Sequence, residues 1–506
     1  MSKIKIISSI AVALIVISSI AAYIILPTWQ QRAAHNLDAI HHAIDEMHPA
    51  VLEPDATAFH EWHTKGYEQA KALLPLVKSP VDENALLRFY FTGYQDPHLY
   101  FISPPQHFAK NLYQKSNKWV GWILKSTNAG YKVVYSLSDK GNPPVGMQLI
   151  RCDGQEIDGF LKDRFAPYLD RRWYMPLARD LAAKSLAIDR DDTSVLNRPD
   201  VKQCEFLDSS GTTLAYPVRW QALTKEQAKK IDGYYQVEYS LPSVREFAPK
   251  SYWITLSDFS LATKGAYESQ QHLVRDLAAI TDADTIVLDV RANGGGDARY
   301  GFDALCKLLM ENCYFLQQKF NQKDLHDNAE YRVSQFTLWS EEALLTERKK
   351  TQGNTSRGTL ALDQIVTHFR EALKQGKTHL LASEISGGKS SNYTLPKQEW
   401  SFKGKVILLT SSRCVSACLD FVDVIKFIPN LLHVGEPTNA DTVYSQVAYM
   451  REQYVGEQVD FMVPIMKSGQ RLRQDNVPYV PDAYYYGDMN DTASLEKWIL
   501  QLVNSH

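Results

Sequence analysis

The chain lacks the common short signatures of cofactor and metal chemistry. There is no Gly-x-x-x-x-Gly-Lys run and no Gly-x-Gly-x-x-Gly run, so nothing points to a phosphate or dinucleotide cradle. His-Glu-x-x-His and Cys-x-x-Cys are also missing, which removes the usual zinc and redox motifs. Basic residues are not in excess: the formal net charge is −3, and the electrostatic footprint of a nucleic-acid-binding protein is absent. Cysteine is sparse, six in 506 residues, which fits an oxidising compartment without specifying any disulfide. Cys306 and Cys313 would stand two helical turns apart, roughly 10 Å, too far to bridge unless the helix bends between them. No cofactor and no metal are expected, so function has to come from a site built of ordinary side chains.

What is present is a globular balance, 44% apolar and 22% charged, over a length that suggests two or three domains. At the N-terminus, Lys3 and Lys5 precede an uncharged apolar run from Ile6 to Leu26. Such a run of roughly 20 residues can span a bilayer core as a helix, and the lysines favour a cytoplasmic start with the body exported. The run continues to Leu26, which favours an uncleaved anchor. A cleaved signal peptide, with Ser19-Ile20-Ala21 as its small-x-small site, is the alternative. The expected location is therefore the cell membrane with the body periplasmic or extracellular, or secretion if the signal is removed.

Five regions follow from the patterning. Residues 1–30 hold the anchor or signal, and 31–115 form an N-terminal helical region ending near the turn Asp96-Pro97-His98. Residues 116–170 are β-rich. There Val145 to Ile157 reads as a strand pair around Asp153-Gly154, and it resembles the corresponding piece of a PDZ domain. Residues 171–250 form a β-containing connection. Residues 251–490 alternate strand and helix, which implies a mostly parallel sheet with right-handed crossovers. A polar excursion with helical content interrupts this alternation at 318–395, placed where it could act as a lid.

Two stretches of the α/β region carry chemistry. Thr285-Ile286-Val287-Leu288-Asp289-Val290-Arg291-Ala292-Asn293-Gly294-Gly295-Gly296 is a buried strand opening into a triple-glycine turn. Glycines there can take φ > 0 and bring backbone N–H groups close to a bound group at the strand's carboxyl end. Asp289 and Arg291 suit a structural ion pair beneath the turn. Lys405 to Thr410 is a second buried strand, running through Ser411-Ser412-Arg413-Cys414-Val415-Ser416-Ala417-Cys418 into a helix. A serine at that junction lies near the free N–H groups of the helix start, which can stabilise an oxyanion. The plainer role is a helix N-cap, for which Ser411, Ser412 and Ser416 all compete.

Taken together, Asp-x-Arg-x-Asn-Gly-Gly-Gly and Ser416-Ala417-Cys418-Leu419-Asp420-Phe421 resemble the tail-specific (C-terminal-processing) serine peptidase superfamily. Asp96-Pro97-His98, the PDZ-like piece and Gly435-Glu436-Pro437-Thr438 fall in that family's order, so the likeness runs over roughly residues 85–485. It implies an α/β fold with a ClpP/crotonase-like core, a polypeptide substrate whose C-terminus the PDZ-like piece could bind, and Ser416 as nucleophile. The Ala417 N–H and a glycine N–H from Gly294 or Gly295 would then be the oxyanion donors. One branch of the family activates its serine with a lysine in Gly-x-x-Thr-x-Gly-Lys-Gly. Asp441 stands in that lysine's place here, and an acid cannot serve as a neutral amine base. The other branch, similar to the tricorn protease core, uses a histidine and an orienting acid. His98 falls on that histidine, and Asp475 falls on the acid, one methylene shorter than the family's glutamate; Glu436 is the rival acid. The chemistry is coherent, because an imidazole can take the serine proton while a carboxylate fixes the ring's tautomer.

Two readings from other classes compete with a peptidase. One is a catalytically silent protein that binds a hydrophobic ligand or peptide on the same fold. The other is a PDZ-type scaffold, in which peptide binding would survive loss of Ser416.

Overall fold

The computed structural model describes residues 27–102, 118–127, 129–137, 141–189, 194–198, 200–261, 263–321, 329–385, 397–454, 457–469 and 471–505. The apolar run at 6–26 lies outside these residues. Among the described residues no helix is long and apolar enough to cross a membrane.

The sheet that carries the site has six strands. Their order is Ser243–Ala248, Ser251–Thr255, Thr285–Asp289, Lys405–Thr410, Leu432–Gly435 and Ala483–Tyr484. Ser243–Ala248 is an antiparallel edge, and every later neighbour is parallel. Parallel pairing needs crossovers, supplied in part by the helices Lys264–Leu277, Arg299–Leu309 and Ala417–Ile425. Side chains alternate between the two faces. Ile254, Ile286, Leu288, Val406 and Leu408 pack against those helices. Trp253, Val287, Ile407, Leu409 and Val434 pack against Leu495 and Ile499 of the C-terminal helix Thr492–Ser505. Cover on both faces is why Thr285–Asp289 and Lys405–Thr410 read as continuous apolar runs. Truncating a fully buried member such as Ile407 to alanine should cost about 2–5 kcal/mol.

A second sheet is antiparallel throughout, in the order Trp122–Thr127, Gly130–Ser136, Gln148–Cys152, Gln203–Leu207 and Thr213–Pro217. Asp153 and Gly154 make its tight turn with φ of 47° and 78°. A Cys152–Cys204 disulfide ties two neighbouring strands. Strands at 203–217, read from sequence as part of a connection, therefore complete the sheet begun at 122. Helices Ile157–Phe165 and Pro176–Ala187 share its core.

The third body joins segments far apart in the chain. Tyr100–Ile102, Glu330–Arg332, His379–Leu381 and the long hairpin Tyr444–Tyr454 with Glu457–Lys467 form one sheet. Its core includes Leu37 and Ile40 of the helix Trp29–Met47, Leu86 and Tyr90 of Pro80–Thr92, and Val366 and Phe369 of Arg357–Lys374. The helices of the 318–395 excursion are thus built into one core with the N-terminal helices. The bend required between Cys306 and Cys313 is present too. The helix Arg299–Leu309 ends at Met310, whose φ is 48°, and the two cysteines form a disulfide with Cα atoms 5.1 Å apart.

Candidate active site

The two strands that sequence singles out are neighbours in the central sheet, so their C-terminal turns meet. Side chains and backbone stitch the turns together. The Ser411 hydroxyl donates to the Arg291 carbonyl at 2.6 Å and accepts from the Arg413 N–H at 3.1 Å, and Arg413 Nε donates to the Ala292 carbonyl at 3.0 Å. Ser411 is thereby a structural residue. Under the glycine turn, the buried Asp289–Arg291 ion pair is closed at 2.7 Å, and the Trp253 indole N–H donates to Asp289 at 2.9 Å.

Ser416 stands immediately before the helix Ala417–Ile425, with φ 59° and ψ −130°. A side-chain-bearing residue in this region costs on the order of 1–3 kcal/mol, a strain that tends to be retained where it aims a functional group. The hydroxyl makes no capping bond to the helix it precedes. It lies instead 2.9 Å from His98 Nε2, across 318 residues of sequence. A Cys414–Cys418 disulfide brackets the serine on both sides, and both cysteines are buried.

The glycine turn abuts this junction. Gly295 has φ 99°, and a Cβ built on it would lie 2.9 Å from Ser416 Cβ and 2.9 Å from the Val415 carbonyl oxygen. Only glycine fits so close an approach in that conformation. The expectation that either glycine could donate to an oxyanion needs correction for Gly295, whose N–H already donates to Asn293 Oδ1 at 2.9 Å. Gly294 is exposed, and among the described residues neither its N–H nor that of Ala417 has a protein acceptor.

His98 is buried and follows the Asp96-Pro97 turn, whose Asp96 Oδ1 accepts the His98 backbone N–H at 2.9 Å. Among the described residues, the buried His98 Nδ1 has no hydrogen-bond partner. Asp96 Oδ1 lies 3.9 Å from it.

The acids named from sequence do not meet this ring in a hydrogen bond. Asp475 is exposed, with its carboxylate on the Arg471 guanidinium. The adjacent Asn476 does reach the histidine turn, its Nδ2 donating to the Gln95 carbonyl at 3.0 Å. Asp475 is thus placed beside the turn, but its shorter side chain is engaged elsewhere. Glu436 is bound by Lys125 at 3.1 Å, in a cluster with Asp180 that joins the second sheet to the central one. Asp441, where the other branch has its lysine, is buried between Arg471 at 2.7 Å and Arg473 at 2.9 Å. Burial works to raise its carboxyl, and the Arg473 guanidinium overcomes this and holds it below the usual value. His433, fully buried in Leu432–Gly435 with its Nε2 2.7 Å from the Thr410 hydroxyl, is a core residue.

Among the described residues, the grouping of side chains close enough to hold a metal ion is His42, Asp45 and Glu46 on the helix Trp29–Met47. It is a solvated i, i+3, i+4 set and no part of the Ser416 site.

Residues 252–466 match the profile of peptidase family S41. No curated protein matches the chain. Among solved structures, mature CPAF aligns with a TM-score of 0.58 at 13% identity, covering 94% of this chain and 98% of that one. Mature CPAF complexed with lactacystin gives a TM-score of 0.56 at 13% identity, covering 94% and 99%. At that identity the likeness is one of fold. The tricorn protease aligns at a TM-score of 0.33 and 12% identity over 94% of this chain and 37% of its own, which carries no argument about branch. The profile match over 252–466 spans both the glycine turn and Ser416, and it marks this region of the chain as a peptidase family S41 domain, that of a serine-type peptidase.

Proposed function

We propose that the protein is an endopeptidase for exported or envelope polypeptides, with Ser416 as nucleophile and His98 as its base. The observation that carries this reading is the 2.9 Å separation of His98 Nε2 and Ser416 Oγ, in a serine that does not cap its helix. In the first step the Ser416 proton passes to His98 Nε2 as Oγ attacks the scissile carbonyl carbon. The carbonyl oxygen becomes an oxyanion within reach of the Ala417 and Gly294 N–H groups. His98 then returns the proton to the leaving amine, and water repeats the sequence on the acyl-enzyme. Asp441 in the lysine's place, held by two arginines, supports the histidine-using branch over a Ser-Lys dyad.

Three features support a body outside the cytoplasm, tethered by residues 6–26. They are the uncharged apolar run, the lysines before it, and the pairing of all six cysteines into disulfides. Substrate capture by strand addition fits the second sheet, whose edge strand Thr213–Pro217 is largely exposed. The test is hydrolysis of an unstructured reporter polypeptide by the purified ectodomain. Wild-type protein should cleave it within the chain, and Ser416→Ala should not. Equal cleavage by both, or no cleavage by either, contradicts the reading. Peptide binding that persists in Ser416→Ala without any turnover by wild type would favour a scaffold.

A further inference from the structure

His98 must carry its proton on Nδ1 if Nε2 is to accept from Ser416, and a carboxylate facing Nδ1 is what fixes that tautomer. Asp475, the acid that position in the sequence suggests, is exposed and engaged by Arg471. Asp96 is buried, and its Oδ1 is 3.9 Å from His98 Nδ1, a nitrogen with no hydrogen-bond partner among the described residues. The other oxygen of Asp96 is also constrained. His48, itself 1% exposed, places Nε2 3.4 Å from Asp96 Oδ2. His48 Nδ1 accepts the Ala50 N–H at 3.1 Å, so the proton of this ring sits on Nε2 and points at Asp96. Phe59 stacks on the His48 ring at 4.5 Å and Tyr444 meets its edge at 4.6 Å, which fixes the ring's plane.

We infer that Asp96, held in place by His48, is the carboxylate that orients and electrostatically supports the His98 ring. The line runs His48, Asp96, His98, Ser416, from the N-terminal helical region to the nucleophile helix. Asp96 acts through His98 and does not touch the reacting atoms, so it is a positioning residue, and His48 positions it in turn. The inference rests on the Ser416–His98 reading above. It explains why the N-terminal helices are packed into the body of the enzyme: they supply His48.

Other charged groups face this line and bear on any pH profile. Arg172 lies near Asp96 from the segment before Pro176–Ala187, and Asp441 faces His98 from the run after Leu432–Gly435. Tyr444 sits against His48, with Asp96, Asp475 and Glu53 around its hydroxyl. Arg471 and Arg473 neutralise Asp441.

The experiment compares kcat, KM and the pH dependence of kcat/KM on the reporter polypeptide. The proteins are wild type, Asp96→Asn, His48→Gln, Asp475→Asn and Ser416→Ala, with Asp303→Asn as an exposed acid that has no assigned role. Asp96→Asn should lower kcat on the order of 100-fold with KM within a factor of two, and shift the acidic limb of the profile to lower pH, because the imidazolium loses its carboxylate. His48→Gln should lower kcat about tenfold without a large change in KM, as Asp96 loses a tether. Asp303→Asn should match wild type. A wild-type kcat and acidic limb in Asp96→Asn overturn the inference, as does a limb shift produced by Asp475→Asn instead. Should Asp96→Asn fail to fold, an unchanged kcat and limb in His48→Gln overturn it. Activity surviving in Ser416→Ala would strike the underlying reading and not the choice of acid.

Discussion

A Gly295→Ala substitution puts a methyl group into the contact between the two turns of the site. The added carbon would lie 2.9 Å from Ser416 Cβ and from the Val415 carbonyl oxygen, about 0.5 Å inside the shortest ordinary contact of 3.4 Å. The backbone cannot relax freely, because φ at this position is 99° and the N–H is bound to Asn293. The two turns must separate, and Ser416 is the residue that moves. A misplacement of 1 Å in an oriented site can cost about 100-fold, so half that distance should lower kcat about tenfold. The forced positive φ adds about 1–3 kcal/mol of strain, which should lower the melting temperature by a few degrees. Gly294→Ala is the internal comparison. Its Cβ would meet nothing within 4 Å, and the N–H offered to an oxyanion is retained. Steady-state kinetics on the reporter polypeptide, with thermal unfolding of each variant, decides the matter. Full kcat in Gly295→Ala, or equal damage from Gly294→Ala, would refute the argument that the glycine turn is fitted to the nucleophile.

The Cys414–Cys418 disulfide closes a small ring around Ser416, so Cys414→Ala/Cys418→Ala should lose about 2 kcal/mol of stability and a larger share of kcat than of substrate affinity; kinetics beside denaturant unfolding would show it, and unchanged kcat would mean the ring does not set the serine. Glu341 is fully buried, neither carboxylate oxygen has a hydrogen-bond partner among the described residues, and burial pushes its carboxyl up to about 7, against a smaller opposing pull from Arg348. A raised carboxyl keeps its proton in the folded state while the unfolded chain ionises, so stability should fall as pH rises from about 4.5 to about 7, by roughly 3 kcal/mol. Glu341→Gln should flatten melting temperature between pH 5 and pH 8, and an identical slope in wild type and variant would contradict the assignment.

The sequence makes the central sheet legible because its strands are covered on both faces and read as unbroken apolar runs. Thr285–Asp289 and Lys405–Thr410 lie where their composition puts them. Ser416 and His98 are legible through local motifs, although nothing local states that residues 318 apart in sequence should meet at 2.9 Å. The orienting acid is harder. Asp475 has the right place in the chain, but Arg471 claims its carboxylate, and sequence spacing does not report which partner a side chain takes. Asp96 reads locally as a turn residue, a role it also fills by accepting the His98 N–H. The hairpin Tyr444–Tyr454 with Glu457–Lys467 left a usable trace, since Val459, Phe461, Val463 and Ile465 alternate and are all buried. Its pairing with Tyr100–Ile102 and Glu330–Arg332 is non-local and leaves no trace in any single window. The φ of 59° at Ser416 is likewise imposed by packing, because serine has no intrinsic preference for it.

Labelling with a fluorophosphonate probe, followed by mapping of the modified residue, tests the central claim most directly. Wild-type ectodomain should form a single adduct on Ser416 near neutral pH. Ser416→Ala should form none, and His98→Ala should react at least 100-fold more slowly, because the hydroxyl has lost the group that takes its proton. No adduct anywhere between pH 6 and pH 9, an adduct on another serine, or wild-type reactivity in His98→Ala would contradict the account.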